Sequence, residues 1–286
     1  MILRFRGGLG NQMFQYAFYR AAQQRGMDIQ ADITAYEFDK KRKFVLGDFP
    51  NVELDYIDRE EFNQLFASYC NRGIIQKVIN KVLPKTSIYF KELDDSPYDE
   101  RNFGLKNKIV DGYFQNEQYF VFIRQLLLYE LSFPKVKDHA FLSLCEKIKK
   151  DSRSVSIHIR RGDYLQLESF YGGICTENYY QNAVQYIEKT RGAANYYVLS
   201  DDIEWTKNHI KVEQAVYICS ADYTQYEDWY DMYLMSLCHD NIIANSSFSW
   251  WGAWLNQHTD KMVIRPQQWN QNSKMEGLCC QGWILL

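Results

Sequence analysis

From about residue 150 onward the chain alternates short apolar runs with helical stretches, and no other feature of it restricts the fold so much. Residues 155–159, 196–199, 215–219, 241–244 and 262–264 read as strands. Residues 176–190, 201–210, 225–238 and 247–255 read as helices, the first capped by Thr176. Pro266 stops the last strand. Strands alternating with helices predict a parallel sheet covered by helices on both faces.

The start of the chain repeats the theme. Residues 2–5 read as a strand, Gly7-Gly8-Leu9-Gly10 as a turn, and Asn11 as the cap of a helix that Gly26 ends. A strand over 27–33 completes a βαβ opening. Between 35 and 135 the pattern is looser: helices over 60–66 and 73–82, a polar loop over 94–107, a short strand at 108–110 and an amphipathic helix over 117–131. The boundary falls near 134–150. Residues 1–140 then form an N-terminal α/β domain and 150–286 a C-terminal Rossmann-like domain, the two facing a central cleft.

Composition excludes several classes. At 46% hydrophobic and 16% aromatic the chain has enough apolar material for a core, so it is not disordered. Its 22 Tyr and 17 Phe suit stacking on a sugar's C–H face, although core packing accounts for most such rings. A net charge of −3 with no long basic run argues against nucleic acid; Lys40-Lys41-Arg42-Lys43 reads as a solvated loop. The seven cysteines include no CxxC pair, and Cys279 and Cys280 are adjacent, which points to reduced thiols and a cytoplasmic setting. The charged N-terminus is unlike a signal peptide, and no apolar stretch reaches membrane-spanning length.

Four segments could carry chemistry, and three lie at strand ends in the second half. In the strand 155–159, Ser156, His158 and Arg160 share one face and Val155, Ile157 and Ile159 the other. Arg160 stands at the carboxyl end, where open α/β sheets bind ligands, and a guanidinium matches two phosphate oxygens at once. Arg161 suits an ion pair within the turn, for instance with Asp163; His158 could bond a diphosphate or brace the turn. Asn245, Ser246 and Ser247 open the helix 247–255, whose N-terminal N–H groups favour an anion. One of these serines could instead serve only as a cap, and Trp250, Trp251 and Trp254 suit the core. Asp201, after the strand 196–199, could accept guanine's N–H edge or cap a helix. The loop Gly7–Gln12 resembles a dinucleotide loop but is not GxGxxG, and only Asp32 offers the acid such sites use.

GGLGNQMFQYA near the N-terminus, DGYFQ at 111–115, HIRRGDY at 158–164 and NSSFSWWGAWL at 245–255 resemble the α-1,2-fucosyltransferase family, glycosyltransferase family 11, in family order along essentially the whole chain. The resemblance implies a GT-B-like fold with the donor in the C-terminal domain and the acceptor on the N-terminal side. It implies inverting transfer of L-fucose from GDP-β-L-fucose to the 2-hydroxyl of a terminal galactose, with no metal or other cofactor. Arg160 would bind the donor diphosphate, with His158 beside it. Ser246, Ser247 and Phe248 would line the phosphate and guanine pocket, Asp201 would contact guanine, and Asn11 would face the donor from the other domain. The base is left open among Asp111, Asp163 and His158. The acceptor would be a galactose-terminated oligosaccharide or glycolipid of the kind found in bacterial surface polysaccharide, reached from the cytoplasm or the inner face of the membrane. Alternatives are a transferase for another GDP-sugar and a non-catalytic glycan- or nucleotide-binding protein; the latter could dispense with the Arg and Ser cluster.

Overall fold

The computed structural model describes residues 1–70, 88–93, 96–223 and 225–286. The helix expected over 73–82 and the pair Asp94-Asp95 lie outside the described residues. The chain divides into two units, Met1–Ser132 and Phe133–Leu286, both α/β with parallel sheets, as a GT-B-like fold requires.

In the first unit the strands β1 (Ile2–Arg4), β2 (Gln30–Asp32), β3 (Tyr89–Lys91) and β4 (Ile109–Asp111) lie in the order β2-β1-β4-β3. The register sets Arg4 beside both Asp32 and Asp111 at the carboxyl edge. The helix Leu9–Gln24 follows β1 and is buried along most of its length. Gly26, at φ +75°, ends it: its N–H bonds Gln23 and that of Met27 bonds Ala22, satisfying two orphan carbonyls. The expected cap at Asn11 is corrected. Gly8 is the N-cap, without a side-chain bond, and Asn11 lies inside the first turn.

The helix expected over 117–131 is broken into the 3-10 turns Glu117–Tyr119 and Val121–Ile123 and the α-helix Arg124–Glu130. Phe120 leaves helical geometry at φ −138° and is fully buried, its ring edge-on to Phe14 at 5.9 Å. Core packing has overridden helical periodicity there. The expected loop 94–107 includes a 3-10 helix, Glu100–Gly104, capped by Asp99.

The second unit holds β5 (Ser154–Ile159), β6 (Asn195–Ser200), β7 (Ala215–Tyr217), β8 (Asp240–Ile242), β9 (Val263–Arg265) and β10 (Ile284–Leu285). They lie in the order β10-β9-β8-β5-β6-β7, every pair parallel. Neither β3 nor β10 is anticipated by the sequence; both are short edge strands. The helix His139–Lys149, capped by Asp138, falls where the sequence suggests a boundary, and belongs to this unit through Phe141 against Tyr230 at 3.9 Å. The helix expected over 225–238 begins only at Tyr230.

The central strand β5 is buried on both faces. Val155, Ile157 and Ile159 pack against the helix Glu177–Arg191, which Thr176 caps as expected. Its polar face meets partners instead of water: Asn241 donates to Ser156 Oγ at 2.7 Å and to the Met235 carbonyl, and Asn256 donates to Asn241. Trp250, Trp251 and Trp254 are almost fully buried in the helix Ser247–Leu255. At about 200 Å² each, their burial is worth about 5 kcal/mol apiece before entropy is counted. Gly252 lets this helix close on Met235, whose side chain would lie 2.8 Å from an added Cβ.

Candidate active site

The second sheet reverses its winding beside β5. The chain runs from β5 to β6 and β7 on one side, then returns to β8, β9 and β10 on the other. In its own strand numbering this is the doubly wound order, in which ligands sit beyond the carboxyl ends at the reversal. The two segments at that reversal are 160–164, after β5, and 245–249, after β8. Their strands pair Ile157 with Ile242, so Arg160 and Asn245 fall level where the register is continued. Side chains then tie the segments together: Tyr164 donates to the Asn245 carbonyl at 2.8 Å, and Ser249 Oγ lies 2.6 Å from His158 Nδ1. The His158 ring is 5.4 Å from that of Phe248.

Arg160 is 32% exposed at this edge, its Nη1 2.9 Å from Asp201 Oδ2. Asp201 follows β6 and also accepts the backbone N–H groups of Arg161 at 2.8 Å and Gly162 at 3.1 Å. Arg161 turns away. Its Nε meets Asp202 at 3.0 Å and its guanidinium lies 3.9 Å above the Trp205 ring. Its described partner is Asp202, in the segment that follows β6. Asp163 opens the 3-10 turn Asp163–Leu167, and its side chain lies outside what is described.

Ser246 is the N-cap of the helix Ser247–Leu255, in extended geometry, and its hydroxyl makes no capping bond. Ser247 and Phe248 are half-buried, whereas Ser249 is buried. The first-turn N–H groups of a helix lack intrahelical acceptors and carry the positive end of its dipole, so this terminus can receive an anion. Asn245 is occupied structurally, donating to the Trp269 carbonyl at 2.9 Å.

His158 is 4% exposed. Burial, with the nearby Arg160 cation, pulls its pKa down to about 3. It is neutral at any working pH and too weak a base for useful proton transfer. Its bond to Ser249 makes it a brace between β5 and the serine helix.

In the first unit, the glycine loop and the DGYFQ segment meet at the carboxyl ends of β1 and β4. Gln115 donates to Asn11 Oδ1 at 2.7 Å, and Gln15 donates to the Gly112 carbonyl at 3.0 Å. Asp111 accepts from Arg6 Nε and from the Tyr89 hydroxyl, each at 2.5 Å. Burial pushes its carboxyl up, but the bonds from Tyr89 and Arg6 outweigh that and hold it below the usual range. Asp111 is thereby a weakened base. Asp32 is buried and pairs with Arg4 at 3.0 Å, which gives it a structural role in place of a cofactor's ribose.

One acid near the second sheet's edge goes unremarked in the sequence. Asp231 is half-buried at the start of the helix Tyr230–Leu237, where the Tyr226 hydroxyl donates to it. Burial, with the Asp201 charge adding, pushes its carboxyl up to about 6 despite the Tyr226 bond. Its one sequence signal is a carboxylate set among the aromatics Tyr226, Trp229, Tyr230 and Tyr233.

Arg160 and the terminus of the helix Ser247–Leu255 thus stand at the reversal of a doubly wound α/β sheet, the place where proteins of this class receive their ligands. The chain belongs to glycosyl transferase family 11, whose profile matches residues 78–286. It is 31% identical to the alpha-1,2-colitosyltransferase of Escherichia coli over 294 residues, covering 99% of this chain and 98% of that one. It is 30% identical to the O-antigen biosynthesis glycosyltransferase WbnK of Escherichia coli, covering 98% of each chain. Among solved structures, the fucosyltransferase NodZ from Bradyrhizobium overlaps 88% of this chain and 91% of its own at 11% identity and a TM-score of 0.46.

Proposed function

We propose that the chain moves L-fucose from GDP-β-L-fucose to the 2-hydroxyl of a terminal galactose, with inversion, giving an α-1,2-fucoside. The observation that carries this reading is the meeting of Arg160 with the helix terminus at Ser246–Ser247 across the β5–β8 reversal. As the acceptor oxygen attacks the anomeric carbon, the bond to the β-phosphate oxygen breaks and the sugar takes on oxocarbenium character. Negative charge then collects on the departing GDP. Arg160 and the helix N–H groups face that charge, and each preorganised contact of this kind is worth about 10²–10³ in rate. They do the work of a metal ion, so none is needed. Ser246, Ser247 and Phe248 line the donor pocket, and His158 holds their helix to β5 through Ser249. Within the N-terminal unit, the Asn11 carboxamide is fixed by Gln115 and offers its amide to a sugar or phosphate group. A dissociative reaction asks little of a base, in keeping with the weak basicity of His158 and Asp111.

The acceptor is a galactose-terminated oligosaccharide or glycolipid recognised by the N-terminal unit. Among the described residues no helix is long and apolar enough to cross a membrane. A cytoplasmic enzyme working at the membrane's inner face on surface polysaccharide fits the O-antigen role in the name of one relative. A second donor, GDP-colitose, is favoured by the similarity to the alpha-1,2-colitosyltransferase. The test is hydrolysis and transfer with a panel of nucleotide sugars and galactosides, the product linkage read by NMR. GDP-fucose turnover to an α-1,2 product is expected; failure to use any GDP-sugar refutes the reading.

A further inference from the structure

The resemblance assigns Asp201 to guanine, yet its carboxylate is committed elsewhere. Oδ1 accepts the Arg161 N–H at 2.8 Å. Oδ2 accepts the Gly162 N–H at 3.1 Å and holds Arg160 Nη1 at 2.9 Å. Three donors from three consecutive residues converge on one side chain some 40 positions away. The turn is also shaped to admit it: a Cβ on Gly162 would lie 2.8 Å from Asp201 Oδ2. A bare carboxylate at a diphosphate site would repel the ligand. One that neutralises backbone donors and orients an arginine instead prepares the site. The guanidinium is planar and rigid, so a single bond to Nη1 sets the direction of the whole fork.

We infer that Asp201 is a positioning residue: it clamps the 160–162 turn and aims Arg160 at the donor diphosphate, and does not read guanine. The inference rests on the donor reading above and deepens it. Releasing the clamp loosens a charge-assisted bond, which should weaken diphosphate binding about 10- to 100-fold.

The test is calorimetric titration of GDP and inosine 5′-diphosphate, which lacks guanine's 2-amino group, into the wild type, Asp201→Asn, Arg160→Lys and the double variant. Asp201→Asn should weaken both nucleotides by the same factor, and the double variant should bind no worse than Arg160→Lys, because the two act as one unit. A loss confined to GDP would make Asp201 a guanine contact and overturn the inference. So would losses that multiply in the double variant, or unchanged affinity. Gly162→Ala pushes the same turn off the carboxylate and must reproduce the pattern, which keeps the inference testable if Asp201→Asn folds poorly. Wild type that binds no GDP would sink the donor reading alone. The clamp is then judged by hydrogen exchange, in which Asp201→Ala must release the Arg161 and Gly162 amides; continued protection would overturn it.

Discussion

Asp231→Asn should stabilise this protein at neutral pH and leave it unchanged in acid. Burial raises the Asp231 carboxyl from 3.8 to about 6, with the Asp201 charge contributing. A carboxyl whose folded pKa is raised adds stability below its unfolded pKa and loses it as pH climbs through the folded one. The window therefore runs from about pH 4 to pH 6, set by the two values just given. Two units would amount to about 3 kcal/mol, and half-burial with solvent screening reduces that to about 1.5 kcal/mol. Asn mimics the neutral acid at every pH and can still accept the Tyr226 hydroxyl. For a unit of this size the gain is about 3–6 °C in Tm at pH 8, falling to nothing near pH 4. Thermal melts of both proteins across that range, followed by circular dichroism, measure it. An equal or lower Tm for the variant at pH 8 would show that the carboxylate is satisfied when charged, and the reasoning from burial would fail.

Arg160→Lys keeps the charge but loses the fork, so turnover should fall about 10²- to 10³-fold with little change in Tm; near-normal kcat and GDP affinity would remove it from the donor site. Arg161→Lys should do the opposite, losing about 1 kcal/mol of stability with its bond to Asp202 and its stack on Trp205, as a denaturant titration would register. Activity should persist in EDTA, and abolition by the chelator with recovery on adding Mn²⁺ would contradict the metal-free reading. Ser249→Ala leaves the buried His158 Nδ1 without that hydroxyl and should cost about 1–3 kcal/mol in urea unfolding; an unchanged midpoint would mean the brace carries no weight.

What the sequence determined by itself was everything set by neighbours along the chain. The alternation in 155–159, the Thr176 cap and the Gly26 stop are local, and each stands where the residues place it. So does the strand-to-helix turn at Ser246–Ser247, and with it one half of the candidate site. The place of Arg160 just beyond the carboxyl end of β5 was legible as well, because it follows from the strand alone. Tertiary structure decided what those groups touch. The pairing of β5 with β8 on one side and β6 on the other brings Ser249 to His158 and Asp201 to the 160–162 turn, contacts between residues far apart in sequence. Packing also cut the helix expected over 117–131 at Phe120 and passed Asn11's expected capping position to Gly8. The burial that neutralises His158 and raises the Asp231 carboxyl belongs to the same level. A titratable group's charge depends on the dielectric and the ions around it, and those are assembled only when distant segments close on one another.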